Sequence, residues 1–170
     1  MKLRTLMRGI SVTDLTIQRC SVEDLELLAN WNKQLIEDEK HDNRMNIEQL
    51  KARMKQFIET DYRAYKFVAR DEGRGYALVN HSRSPLYLRQ FFICRKDRRN
   101  GYGRLAFAKL TEYLNTTELD LEVMHWNETA YRFWKSLGFK ERSVYLRMER
   151  SGEQANNRGR AAHDDLNSKG

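Results

Sequence analysis

Residues 93–104 read ICRKDRRNGYGR and join an apolar, strand-like run to a predicted helix. A helix N-terminus offers unpaired N–H donors and the positive end of the helix dipole, so an anion bound there can accept several hydrogen bonds. Gly101 and Gly103 lack a Cβ atom, which lets an anion come close to the backbone. Each backbone contribution is worth about 0.3–1 kcal/mol and each arginine bond about 1.5–3 kcal/mol. Backbone and arginines are therefore expected to bind a phosphate group together.

Two well-known glycine-rich phosphate loops do not match this segment. The P-loop pattern G-x-x-x-x-G-K-[ST] is absent, and the dinucleotide-binding pattern G-x-G-x-x-G would need a third glycine where the sequence has Ala106. A different phosphate-binding arrangement is therefore predicted.

The flanking segments alternate between strand and helix patterns. Strands are predicted where aromatic and branched residues cluster between turn-forming residues, and helices where apolar residues recur behind a capping residue. The predicted strands are residues 16–20, 65–70, 76–80, 86–94, 119–124 and 139–149. The predicted helices follow capping boxes at 21–24 and 46–49 and the loop at 95–103, and the last covers 128–137. This order indicates an α/β fold.

The composition fits one globular domain. The chain has 170 residues, of which 40% are hydrophobic, and its 31 Lys and Arg against 24 Asp and Glu give a net charge of +7. That charge favours anionic ligands. We expect an N-terminal extension at 1–14, a globular domain at 15–150 and a disordered polar tail at 151–170, which has almost nothing apolar to bury.

Cysteine usage and hydropathy indicate the cellular compartment. Cys20 and Cys94 are the only cysteines, lie far apart and have no His or Cys at metal-ligand spacing, so neither a disulfide nor a metal site is predicted. The first ten residues lack an apolar run of signal-peptide length, and no stretch approaches the roughly 18 apolar residues of a membrane span. A cytoplasmic protein with no membrane partner is expected.

Two motifs together resemble the GNAT superfamily of acetyl-CoA-dependent N-acetyltransferases. Arg98, Gly101 and Gly103 match the family's loop [QR]-x-x-G-x-[GA]. Further along, the family signature N-x-x-A-x-x-x-Y-x-x-x-G-F is matched by Asn127, Ala130, Gly138 and Phe139. The likeness covers residues 15–149 and implies a mixed, mostly antiparallel central sheet flanked by helices, the GNAT-like acyl-CoA N-acyltransferase fold.

The resemblance also implies the ligands and the residues that contact them. Acetyl-CoA would be the cosubstrate, no metal would take part, and the acceptor would be a primary amine on a small molecule or peptide. Backbone groups of Phe91, Phe92 and Ile93 would bind the pantetheine arm and the thioester carbonyl. The pyrophosphate would be bound by Arg98, Arg99, Asn100, Gly101, Tyr102, Gly103 and Arg104. The other side of the arm would contact Asn127, Ala130, Phe133 and Trp134.

The sequence departs from the family pattern at the general acid. The tyrosine that often protonates the departing thiolate is replaced here by Trp134, and an indole cannot supply that proton. Tyr131 lies three residues earlier on the same helical face and is the candidate replacement. The alternative is that Tyr131 and Trp134 only pack in the core.

Acidic residues are candidates for the acceptor side. The acceptor amine must lose a proton before it attacks, and Glu122, on the face of its strand opposite Leu121 and Val123, is the candidate base. An exposed strand residue without a role is the alternative. Glu37, Asp38 and Glu39 oppose the dipole at the end of a predicted helix and are candidates for binding a cationic acceptor, or else belong to a solvated charge run.

Two rival functions remain open from the sequence. A catalytically idle acetyl-CoA sensor would explain the missing tyrosine. A nucleic-acid-binding domain would use the arginines of residues 95–104 as a phosphate patch, but Phe91 and Phe92 are expected to be buried rather than displayed for base stacking, so no nucleic-acid partner is expected. A homodimer is compatible with the sequence, which does not indicate its interface.

Overall fold

The computed structural model describes residues 14–148, so the predicted tail and all but one residue of the predicted extension lie outside the described residues. The strands are β1 (Leu15–Arg19), β2 (Tyr62–Ala69), β3 (Glu72–Asn80), β4 (Leu86–Ile93) and β5 (Leu119–Leu121). The α-helices are α1 (Leu25–Asp38), α2 (Ile47–Ile58), α3 (Tyr102–Leu114) and α4 (Glu128–Ser136). Short 3-10 turns cover Val22–Asp24 and Arg95–Asp97. In the described chain, no helix is both long and apolar enough to cross a bilayer.

The strands form one sheet in the order β1-β2-β3-β4-β5. The first four strands are antiparallel neighbours, and β5 pairs with β4 in parallel. The predicted mixed, mostly antiparallel sheet is confirmed. The parallel pair requires a crossover, which α3 and the loop before it provide.

Both predicted capping boxes are confirmed. The Ser21 hydroxyl accepts from the Glu23 N–H at 3.2 Å while Asp24 accepts from the Ser21 N–H at 2.9 Å. Asn46 and Gln49 exchange two bonds of 2.9 Å at the start of α2. These bonds satisfy N–H groups that a helix start would leave unpaired.

Aromatic side chains form the core on both faces of the sheet. On one face, Trp31 of α1 stacks on Tyr76, with ring centroids 6.0 Å apart. On the other face, Trp134 of α4 packs edge-on against Phe91 and Phe107, at 5.2 and 5.4 Å between ring centroids. Phe92 lies against the first helical layer and Phe91 against the second, because neighbouring side chains of a strand point to opposite faces.

The turn between β2 and β3 lies earlier than predicted. Arg70 and Asp71 form it with φ of 52° and 59°, and Ala69 pairs with Glu72. The predicted strands at residues 65–70 and 76–80 put the turn at residues 71–75, whereas Glu72 and Gly73 already belong to β3. A Cβ at Gly73 would lie 2.7 Å from the Trp31 ring, so this glycine makes room for a core side chain.

Two predicted strands differ in the structure. β5 ends at Leu121 rather than at residue 124. Residues 139–148, which belong to a second compact unit beginning at Gly138, contain no strand among the described residues. Their alternating side chains suit a strand, but a strand is stabilised only by backbone bonds to a neighbour, which the pattern alone does not supply.

Candidate active site

β4 and β5 run side by side only where both begin. The parallel pairing joins Leu86 to Leu119 and Leu88 to Leu121, after which β5 ends while β4 continues to Ile93. Past Leu88, no described strand pairs with β4 on its β5 side. An open strand edge can bind an extended ligand through its backbone groups.

The alternation of hydrogen bonds along β4 determines which backbone groups face this edge. The Cys94 N–H donates to the Arg74 carbonyl of β3 at 2.8 Å. Bonded and non-bonded pairs alternate in an antiparallel ladder, so Phe92 directs its backbone groups toward β3. Phe91 and Ile93 direct theirs away from β3. Of the three residues predicted to bind the arm through their backbone, these two face the open edge.

The loop before α3 ends in a left-handed turn at the helix start. Gly101 has a φ of 82°, which glycine adopts without steric cost, and Arg99 has a φ of 64°. α3 has no side-chain cap. Within the described part of the chain, no acceptor is hydrogen-bonded to the N–H groups of residues 99–104. These donors and the helix dipole form an anion-binding arrangement at this helix start.

Gly103 lies at a contact between α3 and α4. A Cβ added to Gly103 would lie 3.3 Å from two ring atoms of Phe133. The missing side chain makes room for Phe133, and the expected room for an anion at this glycine stays a prediction. The glycine therefore acts on the site by letting the two helices approach.

Arg98 holds the loop in place through two groups of the protein. Its Nε donates to the Ile93 carbonyl at 2.8 Å, and its Nη2 donates to Asp38 at the end of α1. The guanidinium carbon lies 5.4 Å from the ring centroid of Phe92. Arg98, predicted to bind pyrophosphate, is thus also a brace between β4, the loop and α1.

The acidic residues at the end of α1 pair with the loop arginines. Arg95 donates to Asp38 at 2.8 and 3.0 Å and to Glu37 at 3.1 Å. Burial would raise the pKa of Asp38, but the hydrogen bonds and charges of Arg95 and Arg98 outweigh it and lower that pKa. This pairing offsets the negative charge expected to attract a cationic acceptor.

Two arginines of the loop region have no acidic partner among the described residues. Arg99 is exposed and makes no ion pair there, and Arg104 donates to the Ser136 hydroxyl at 2.9 Å. Their charges add to the row of N–H donors, so the free positive charge lies on the α3 side of the loop.

α4 begins at the predicted signature residues. The Asn127 side chain accepts from the Ala130 N–H at 3.1 Å and so caps the helix. Trp134 is buried among Phe91, Phe107 and Phe133. A large apolar ring therefore fits at the position where the family pattern has a tyrosine.

Tyr131 differs from Trp134 in its surroundings. Its side chain is 40% exposed, and Lys135 Nζ lies 6.0 Å from its ring centroid. Tyr131 is therefore not a core residue in the way that Trp134 is.

Glu122 lies just past the end of β5, next to the point where β4 and β5 part. It was expected in the middle of a strand, but β5 ends at Leu121 and the Glu122 side chain is exposed. Burial, and then the charge of Glu122, raise the pKa of Tyr87 on β4. The carboxylate of Glu122 therefore lies near the start of the open edge.

Glu39 belongs to the acidic run that the sequence marks as a candidate for binding a cationic acceptor, and the structure adds that its carboxyl group is partly buried. Burial, and then the neighbouring charge of Asp38, raise its pKa to about 6. The Trp126 indole donates to the Glu39 carbonyl at 2.9 Å, which joins the end of α1 to the segment after β5. The sequence carries no signal for this burial, because it arises from a contact between segments far apart in the chain.

Among the described residues, no cluster of His, Cys, Asp or Glu is arranged to hold a metal.

The chain is similar to known acetyltransferases. A family model described as acetyltransferase (GNAT) domain matches residues 21–152. A search of curated proteins finds no significant match.

Solved acetyltransferase structures share the fold at low sequence identity. A possible acetyltransferase from Clostridium difficile 630 has a TM-score of 0.65 at 16% identity, over 81% of this chain and 98% of that chain. An acetyltransferase from Thermus thermophilus has a TM-score of 0.63 at 20% identity, over 77% and 90%. The aminoglycoside N-acetyltransferase AAC(6')-Iy, solved with CoA, has a TM-score of 0.61 at 18% identity, over 81% and 95%. These likenesses confirm the predicted fold class.

Proposed function

This chain belongs to the GNAT acetyltransferase family, and on that basis we propose that it transfers the acetyl group of acetyl-CoA to a primary amine by direct attack in a ternary complex. The observation that carries the proposal is the row of N–H donors at residues 99–104, to which no acceptor in the described residues is bonded, at the start of α3. Such a row of donors is suited to binding a pyrophosphate. Acetyl-CoA carries one.

Acetyl-CoA binding would use the loop and the open edge of β4 together. The unpaired N–H groups, with Arg99 and Arg104, would bind the pyrophosphate. The pantetheine arm would pair with the outward backbone groups of Phe91 and Ile93, as a strand would. Asn127 supports this arrangement by capping α4, which holds Phe133 against α3.

The transfer step exchanges one bond for another. The acceptor nitrogen forms a bond to the acetyl carbon, the carbon–sulfur bond breaks, the nitrogen loses a proton and the sulfur gains one. Negative charge develops on the thioester oxygen as the nitrogen attacks. An outward backbone N–H of β4 would stabilise that charge by donating a hydrogen bond to the oxygen.

Proton transfer requires a base and an acid. Glu122, exposed beside the point where the strands part, would accept the amine proton directly or through water. Glu39 is a second candidate, because its pKa of about 6 makes it a stronger base than an ordinary carboxylate. Tyr131 would protonate the thiolate, since the Trp134 indole is buried and cannot.

The buried Trp134 also favours a second candidate function. A protein that lacks the usual acid can bind acetyl-CoA without turning it over, which would make it a sensor. The nucleic-acid alternative loses support because Arg95 and Lys96 pair with Glu37 and Glu72, at 3.1 and 3.2 Å. Paired arginines and lysines attract a polyanion less.

Calorimetry and a thiol-release assay test the proposal. We expect acetyl-CoA to bind at low salt, and free CoA thiol to appear with at least one member of a panel of amino acids, peptides, polyamines and aminoglycosides. Absence of binding would contradict both the enzyme and the sensor. Binding without thiol release across the panel would favour the sensor.

A further inference from the structure

Two arginines from different elements lie over one aromatic ring. The guanidinium carbon of Arg53 on α2 is 5.7 Å from the ring centroid of Phe57, and that of Arg89 on β4 is 4.9 Å from the same centroid. Arg89 also lies 5.8 Å from the ring centroid of Tyr62 and donates to its hydroxyl at 3.4 Å. We call Arg53, Phe57, Tyr62 and Arg89 the arginine patch.

The arginine patch has no counter-charge in the described structure. Neither Arg53 nor Arg89 forms an ion pair with a described residue, and Arg53 Nε is buried without a hydrogen-bond partner. Burial, and then the charge of Arg89, lower the pKa of Arg53. Two unpaired positive charges that repel each other raise the energy of the free protein, and a bound anion would relieve that repulsion.

A β-bulge places Arg89 beside the open edge of β4. The register passes from Leu78 opposite Gln90 to Val79 opposite Leu88, which leaves Arg89 as the extra residue. Leu88 is also the last residue of β4 that pairs with β5. The bulge therefore lies where the two strands part.

The bulge directs two consecutive side chains to the layer of α1 and α2. Arg89 lies on Phe57 of α2, and the Gln90 amide donates to Asn32 of α1 at 3.1 Å. The Gln90 oxygen accepts from the Tyr76 hydroxyl at 2.8 Å, which fixes the neighbouring position. In a regular strand, adjacent side chains would point to opposite faces. The bulge is thus the reason that Arg89 meets Arg53.

We infer that the acetyl acceptor is an amine that also carries an anionic group, a carboxylate or a phosphate, and that Arg53 and Arg89 bind this group. The inference rests on the proposed function, which brings the acetyl group to the place where β4 and β5 part. There the arginine patch lies on one side, and Glu122 supplies negative charge near Tyr87. Such a pair of opposite charges suits a molecule with one anionic and one amino group.

The same charges disfavour polycationic acceptors. The acids at the end of α1 that would attract a polycation are paired with Arg95 and Arg98. A polyamine or aminoglycoside entering beside Arg53 and Arg89 would meet unpaired like charge. We therefore expect amino acids, peptides with a free carboxylate or aminoalkyl phosphates to be better acceptors.

Anion binding to the saturated protein tests the patch without an acceptor. With acetyl-CoA or CoA at saturation to fill the loop site, inorganic phosphate or acetate is titrated and the melting temperature is followed. The wild type should be stabilised by at least one of the two anions. Arg89→Gln and Arg53→Gln should lose at least half of that stabilisation, and Arg89→Lys should retain part of it.

Arg63→Gln is the matched control. Arg63 is exposed on β2 next to Tyr62, and so points to the opposite face of the sheet from the arginine patch. Arg63→Gln removes the same charge and should leave the stabilisation by the anion unchanged. If Arg53→Gln and Arg89→Gln were stabilised by the anion as much as Arg63→Gln, the inference would be overturned, whatever the result with acetyl-CoA.

Matched acceptors then distinguish carboxylate from phosphate. Glycine is compared with glycinamide, and 2-aminoethyl phosphate with ethanolamine, by thiol release. The anionic member of at least one pair should have a kcat/KM about tenfold higher or more, and Arg89→Gln should remove that preference through KM. Equal kcat/KM within both pairs, in an enzyme that acetylates them, would also overturn the inference. Failure to bind acetyl-CoA would instead contradict the proposed function.

Discussion

Asp38 at the end of α1 and Arg98 in the loop before α3 form an ion pair, although 60 residues separate them. The pair joins a residue predicted to bind the acceptor to one predicted to bind pyrophosphate. Arg98 also donates to the Ile93 carbonyl at the end of β4. One carboxylate therefore helps to set the position of the loop relative to the open strand edge.

Asp38→Asn should lower the free energy of unfolding by about 1 kcal/mol at neutral pH, after allowance for screening by solvent. The pKa of Asp38 is held below 3.8, so its contribution is complete above that pH and is lost as the pH falls through the lowered pKa. Urea unfolding at neutral pH and below pH 3.8 measures the difference in the free energy of unfolding between the wild type and Asp38→Asn. Asp61→Asn, an exposed change away from the loop, is the control, and equal stability of both variants at neutral pH would contradict the brace.

Glu39→Gln should stabilise the protein by about 2 kcal/mol above pH 6. The folded protein raises the pKa of Glu39 from 4.5 to about 6, so wild-type stability falls as the pH rises through that range. The glutamine variant lacks this loss, and the advantage should shrink to nothing below pH 4.5. Urea unfolding of Glu39→Gln and the wild type below pH 4.5 and above pH 6 measures this stability difference. Glu118→Gln is the exposed control. A constant difference at all pH values would show that Glu39 does not titrate in this way.

Local patterns were sufficient to predict most of the fold. The capping boxes at Ser21 and Asn46 and the apolar spacing behind them depend on residues within a few positions of each other. The glycine and arginine pattern of residues 98–103 likewise marks a loop between strand and helix. Such features are readable because their physical causes are local.

Contacts between distant segments were not predictable from the sequence. The ion pair of Asp38 with Arg98, the burial of Glu39 and the meeting of Arg53 with Arg89 each depend on packing between separate elements. The early end of β5 was missed because hydrophobic alternation continues past Leu121, while pairing with β4 does not. Packing and pairing of this kind produce no periodic pattern in the sequence of either segment.

Trp134→Ala should lower the free energy of unfolding by about 3–5 kcal/mol, because a large buried ring is removed from the aromatic cluster with Phe91 and Phe107. Trp126→Ala is the matched control. Trp126 is 58% exposed and loses only its hydrogen bond to Glu39, so a cost of about 1 kcal/mol is expected. Denaturant unfolding of the two variants compares them, and similar costs would contradict the core position of Trp134.

Tyr131→Phe should lower kcat by about 100-fold or more while leaving the Kd for acetyl-CoA nearly unchanged, if its hydroxyl protonates the thiolate. Steady-state thiol release and calorimetry measure the two quantities separately. Tyr113→Phe removes an exposed hydroxyl from α3 and should change neither. An unaltered kcat in Tyr131→Phe would remove Tyr131 from the mechanism.

Acetyl-CoA binding is proposed to depend on a pyrophosphate bound by the backbone at the start of α3. Gly101 has a φ of 82°, a conformation that Asn and Asp tolerate better than other side chains. Gly101→Asn and Gly101→Asp add side chains of nearly equal size, and only the second adds a negative charge. The Kd for acetyl-CoA, measured by calorimetry at low salt, is predicted to stay within about threefold for Gly101→Asn and to rise at least about tenfold more for Gly101→Asp. Equal Kd values for the two variants would contradict pyrophosphate binding at this helix start.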